Sequence, residues 1–108
     1  MPLYLGRFSY TPEATKALAA NPQDRAKAAA EAAESVGAKL IGLWYAFGEF
    51  DGVFMVEAPD NATVAALAML AAGSGALTKT ETTVLLTMDE AQEAMRKAGH
   101  ATFRPPTS

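Results

Sequence analysis

The chain has 108 residues, half of them hydrophobic and 19% charged, with nine Lys/Arg against twelve Asp/Glu for a formal charge of −3. That length is one domain, whose folded form buries only about two-thirds of its unfolded surface. Cysteine is absent, which excludes disulfides, thiol catalysis and cysteine-bound metals, and no basic stripe invites nucleic acid.

Leu3–Tyr10 reads as the first strand, with Leu3, Leu5 and Arg7 on one face and Tyr4, Phe8 and Tyr10 on the other. Thr11-Pro12-Glu13 then opens a helix, because Thr caps, Pro suits the first position and Glu meets the positive dipole end. Asn21-Pro22 stops it and is expected to start a second helical segment, through Arg25–Ser35 to Gly37. Six of the eight residues from Ala26 to Ala33 are alanine. Two readings stand for them: close approach of a helix to a sheet, or helix propensity on a solvated face.

Lys39–Phe47 and Val53–Glu57 read as hairpin strands around Gly48-Glu49-Phe50-Asp51-Gly52. Strict alternation puts Leu40, Gly42, Trp44 and Ala46 on one face and Ile41, Leu43, Tyr45 and Phe47 on the other. Asp60 or Asn61 is expected to cap a helix over Ala62–Ala72, ended by Gly73-Ser74-Gly75. Leu77–Thr87 is rich in β-branched residues and reads as the last strand. Met88-Asp89-Glu90 opens a C-terminal helix to about Ala98, with Gly99 as its stop. The domain is thus expected over 1–98, with an extended tail over 99–108 in which Phe103 docks, on a partner copy in one arrangement.

The order β-α-β-β-α-β with an added helix is the split βαβ, ferredoxin-like arrangement of the α+β class. Both faces of the hairpin strands are apolar, yet the helices cover only one sheet face. A homodimer through the sheet faces is the expected cover, with higher assembly open. Trp44 and Met55 belong to core or interface on this reading rather than to a cofactor box.

Several pieces in this order resemble the GYD-domain family: Phe8-Ser9-Tyr10-Thr11, the stretch GEFDGVFMVEAPD, and Thr80-Glu81-Thr82. The family motif stands here as Gly48-Glu49-Phe50-Asp51, with Phe50 where Tyr is usual. The resemblance covers about residues 1–98 and implies ferredoxin-like subunits paired sheet to sheet as a dimeric α+β barrel. It implies no agreed biochemical activity. Any role of the missing tyrosine hydroxyl is lost here.

No catalytic signature is present. Gly73-Ser74-Gly75-Ala76 precedes a strand rather than a Lys-Ser/Thr helix start, so it is no phosphate loop. His100, the one histidine, stands beyond the expected helix stop and is expected to be dispensable. Glu49 and Asp51 are the nearest thing to paired carboxylates, but turn chemistry explains them better, and two acids fall short of the roughly six oxygens calcium takes. No metal and no cofactor is expected. Arg7, Tyr45, Glu57 and Glu81 are polar residues on apolar strands and are the candidates to line a small-molecule cleft, with an Arg7–carboxylate pair as the natural arrangement.

Three functions are compatible with these residues: a dimeric small-molecule-binding module, a cofactor-independent oxygenase or isomerase acting on an aromatic or lactone-like substrate, and a structural oligomer-building protein. The N-terminus lacks a basic region followed by an apolar one, and no apolar run nears the roughly 20 residues of a membrane span. The expectation is a cytoplasmic protein without membrane partners.

Overall fold

Alternation in the first strand sets the architecture. The computed structural model describes residues 1–106; the last two positions expected in the tail lie outside them. Strand β1 (Leu3–Tyr10) sends Tyr4, Gly6 and Phe8 into the interior and Leu3, Leu5 and Arg7 to the opposite side. Three more strands follow: β2 (Lys39–Tyr45), β3 (Gly52–Glu57) and β4 (Leu77–Leu85). They form one sheet in the order β2-β3-β1-β4, antiparallel throughout. Helices α1 (Pro12–Ala20) and α2 (Ala26–Ser35) fill the first crossover, α3 (Asn61–Gly73) the second, and α4 (Met88–His100) follows β4. The chain is an α+β, ferredoxin-like βαββαβ domain with an added C-terminal helix.

Local capping chemistry explains where most helices begin. The Thr11 side chain accepts from the Ala14 amide, with Pro12 and Glu13 in the first turn of α1. Asp60 does the same for Thr63 in α3. Thr87 and Glu90 form a reciprocal capping box on α4. One expected start is corrected: α2 begins at Ala26, not at Asn21-Pro22, because the Asp24 carboxylate turns the chain by accepting from the Ala26 amide at 2.8 Å. Its end is as expected, with Gly37 at φ +91, a left-handed conformation that costs glycine little.

The core lies between the sheet and α2 and α3. Tyr4, Val56, Ala33, Ala38, Ala58, Val64 and Leu67 make one buried cluster. Ala33 is fully buried, so this alanine does bring α2 onto the sheet. The Tyr4 hydroxyl donates to Asn61 Oδ1 at 2.7 Å and ties β1 to the first turn of α3.

A second correction concerns β2. The pairing of β2 with β3 slips between Leu40 and Gly42. One inserted residue reverses the alternation at that point. Leu40 therefore faces the helices together with Leu43 and Tyr45, while Gly42 and Trp44 face away. The outer sheet face carries Leu3, Leu5, Val53, Met55 and Trp44 near β2, β3 and β1, but turns polar along β4, with Lys79, Glu81 and Thr83. Trp44 is 54% exposed and lies across Gly42, where a Cβ would meet the indole ring at 2.5 Å. No helix of the described residues is long and apolar enough to cross a membrane.

Helix α4 is different from the rest. It runs through Gly99 to His100, one residue beyond the expected stop, and none of its residues is buried. The radius of gyration is 17.6 Å, against about 13 Å for a compact chain of this length. The longest dimension is 57 Å.

Candidate functional site: an apolar cleft rimmed by two tyrosines

Small residues leave room where the two core helices cross the sheet. Ala28, Ala29 and Ala32 of α2 and Ala68 and Ala71 of α3 present only methyl groups to the strands. The rings of the floor lie low for a related reason. A Cβ on Gly6 would collide with the Phe54 ring, and one on Gly52 with the Phe8 ring. Glycine at these two strand positions lets each aromatic fold across its neighbour. The result is a cleft of about 350 Å³ between sheet and helices, floored by Phe8, Phe54, Leu40 and Leu43. This falls within the size range of ligand sites, roughly 300–1,000 Å³.

Aromatic contacts continue to the rim. Phe8 and Tyr10 meet edge to face at 5.3 Å between centroids, and Tyr10 and Tyr45 at 6.1 Å. The two tyrosine hydroxyls share a hydrogen bond of 3.0 Å. Burial, and then the hydrogen bond with Tyr45, push the Tyr10 phenol well above its ordinary range, with Arg25 pulling weakly the other way. Tyr10 thus keeps its proton at neutral pH and acts as a hydrogen-bonding hydroxyl rather than a phenolate base. A recess of about 130 Å³ adjoins the rim, bordered by Gln23, Asp24, Arg25, Leu43 and Tyr45.

The four residues singled out from the sequence fall in different places. Tyr45 is on the rim. Arg7 and Glu81 are direct cross-strand partners, 3.6 Å apart and partly exposed. They border the cleft from positions whose alternation belongs to the outer face. Glu57 sits at the end of β3, opposite Leu3 and Lys39, and borders neither cavity. Tyr10 and Arg25 were not among the four. Their signal was faint: Tyr10 alternates in phase with Phe8, and Arg25 precedes the alanine run by one residue.

The Gly48–Asp51 motif is a clamp rather than a carboxylate pair. The strands end at Tyr45 and resume at Gly52, so the connection is Ala46–Asp51. The Asp51 carboxylate accepts from the Tyr10 amide at 2.9 Å, and the Asp51 amide donates to the Phe8 carbonyl at 2.9 Å. Glu49 instead pairs with Lys79 at 3.1 Å, and the same ammonium lies 4.6 Å from the centre of the Phe50 ring. The motif thereby pins the end of β1 and holds Tyr10 at the rim. His100 occupies the last turn of α4, in the place where a basic group meets the negative dipole end, and borders neither cavity. Among the described residues no three His, Cys, Asp or Glu come together as a metal site.

Comparison with known proteins agrees with the motif. The model of the GYD domain matches residues 4–95. The chain belongs to the GYD-domain family. The match takes in the strands, α1 to α3 and half of α4, and so the whole cleft. Among curated proteins none matches this GYD domain. The solved structures similar to it include two of low identity. One, described as the crystal structure of FFRP-DM1, is 13% identical with a TM-score of 0.47, covering 80% of this chain and 100% of its own. The other, an uncharacterized NIPSNAP domain protein from Burkholderia xenovorans, is 18% identical with a TM-score of 0.46, covering 81% of this chain and 94% of its own.

Proposed function

We propose that this GYD domain is a small-molecule-binding module that works as a homodimer. The cleft carries the first half of the reading. It is lined mainly by apolar side chains, lies beneath two helices, and has hydroxyls at its rim. A protein serving only to build oligomers has no need of such a cleft. The second half rests on the outer sheet face, where Leu3, Leu5, Val53, Met55 and the exposed Trp44 have no helix above them. A second copy presenting the same face would cover them, and a stable pair of this kind buries more than about 1,200 Å². Assembly beyond the dimer would use α4, whose exposed Met88 and Met95 lie on one side. The domain is assigned to the cytoplasm on the expectation drawn from its sequence.

The oxygenase or isomerase reading keeps one observation in its favour: a hydrogen-bonded tyrosine pair beside an apolar floor. Tyr10 as a held hydroxyl supports orienting a ligand oxygen better than removing a proton.

A thermal-shift and calorimetric screen with small aromatic acids and lactones tests the reading. Wild type is expected to bind members of the set, and Ala68→Phe, which fills the cleft, to lose them while staying folded. Absence of binding to wild type across the whole set would remove the binding-module reading.

A further inference from the structure

The lining of the cleft holds two cations, Arg7 and Arg25. Glu81 neutralises Arg7 from the facing strand at 3.6 Å. Arg25 has no carboxylate within ion-pair distance among the described residues. One of its N–H groups donates to the Gln23 side chain at 3.1 Å, which leaves the rest of the guanidinium fork free. Arg25 also borders both the main cleft and the adjoining recess.

Two acids lie near this rim, Asp24 and Asp51, and one oxygen of each holds the backbone. Asp24 accepts from the Ala26 amide, and Asp51 from the Tyr10 amide. They hold the backbone that presents Arg25 and Tyr10. The donors that can meet a ligand here are the Arg25 fork and the Tyr10–Tyr45 hydroxyls. An apolar trough ending in a planar fork of donors matches a molecule with an apolar body and a carboxylate head.

We propose that the cleft takes a monocarboxylate with an aromatic or branched apolar body, seated with the body on Phe8 and Phe54 and the head at Arg25 and Tyr45. This rests on the binding-module reading above and goes beyond it in naming the ligand class and the residue that selects it. The volume sets the size. About 350 Å³ corresponds to roughly a dozen waters at ~30 Å³ each, which suits an acid with a single ring and a short chain. Along β4 the charged groups of the lining, Arg7 and Glu81, pair with each other between Thr80 and Thr82, so Arg25 is the cation left for the head.

The test uses the full chain and two probes of the same shape, phenylpropanoate and the neutral phenylpropanamide, followed by calorimetry. Wild type is expected to prefer the acid by roughly tenfold or more, the scale of one charge-assisted hydrogen bond. Arg25→Met is expected to erase that preference while retaining weak binding of both probes. Arg25 is exposed and belongs to no core contact, so the variant folds. Lys27→Met removes the same charge two residues away and is expected to keep the preference. Equal binding of acid and amide to wild type would assign the cleft to an uncharged apolar occupant and overturn the proposal, with the binding module intact. So would an acid preference that survives Arg25→Met. Failure of both probes to bind, with Ala68→Phe indistinguishable from wild type, would instead remove the cleft reading on which the proposal rests.

Discussion

Helices α3 and α4 have equal length, thirteen residues each, and opposite design. Helix α3 is apolar nearly all round, and Val64 and Leu67 enter the core. Helix α4 has the cleaner division into an apolar and a charged side, yet buries nothing. The amphipathic pattern that usually marks a helix packed on its own domain here marks one that has found no partner within the protomer. A stripe reports that a surface awaits cover and says nothing of which molecule provides it. The two sheet faces repeat the lesson, since one lies beneath α2 and α3 and the other is open.

The largest effect should separate α3 from α4. Leu67→Ala removes a buried side chain from the core cluster and is expected to lower stability by about 2–5 kcal/mol in urea unfolding. Met95→Ala, on a residue 68% exposed, should leave the unfolding of a dilute protomer unchanged. A comparable loss at Met95 would show that α4 is packed within its own chain in solution.

The next effect separates the sheet faces. Trp44→Asp places a charge on the outer face and should turn a dimer into a monomer, a change of about 2 kcal/mol or more for an aromatic anchor, read by sedimentation. Leu43→Asp, one residue away, enters the cleft and should reduce ligand binding and stability while the sedimentation coefficient stays that of the dimer. Loss of the dimer in the Leu43 variant alone would place the shared surface on the helix side.

Much of this contrast was legible in the sequence because its causes are local. Thr11 and Asp60 cap helices through hydrogen bonds that reach three residues, so residue type and spacing announce them, whereas Thr87, expected to end the last strand, lies beyond Leu85 and caps α4 instead. The alternation of β1 is equally local, and it separated Tyr4 and Phe8 from Leu5 and Arg7. The slip between Leu40 and Gly42 was hidden because register depends on β3, a partner strand elsewhere in the chain. Leu40 was accordingly placed on the wrong face. The rim was hidden for the same reason: Tyr10 and Tyr45 are 35 residues apart, and the fold alone brings their hydroxyls together. An ion pair for Arg7 followed from the cost of an unpaired charge on an apolar strand, but Glu81 was selected over Glu57 only by the β1–β4 register.

A smaller effect tests how the rim is held. Asp51→Ala removes a carboxylate that accepts from the Tyr10 amide and should cost about 1.5 kcal/mol, the lower end for a hydrogen bond to a charged group. Tyr10 should then lose its fixed place beside Tyr45, and binding of aromatic probes should weaken as well. Asp51→Asn keeps an acceptor and should recover most of both. Full stability with abolished binding in Asp51→Ala would make Asp51 a ligand contact instead of a clamp.

The smallest effect concerns how α3 and α4 begin, and it appears only in acid. The Asp60 carboxylate accepts from the Thr63 hydroxyl at 2.7 Å and the Thr63 amide at 2.9 Å. Both bonds, the hydroxyl first, hold its pKa below the ordinary carboxylate value of about 3.9. Folding therefore favours the ionised form, and the contribution is fully present above the unfolded pKa and lost as pH falls through the folded one. The neighbouring Asn61 accepts from Tyr4, so loosening the first turn of α3 pulls on the core. Asp60→Asn keeps a capping oxygen that does not titrate. The stability difference between wild type and this variant should be constant from pH 7 to about 5 and shift against wild type below about 4, measured by urea unfolding at each pH. Curves that stay parallel through that window would mean the carboxylate charge contributes nothing to the cap, leaving Asn and Asp equivalent there and α3 no more dependent on an ionised cap than α4 is on its threonine.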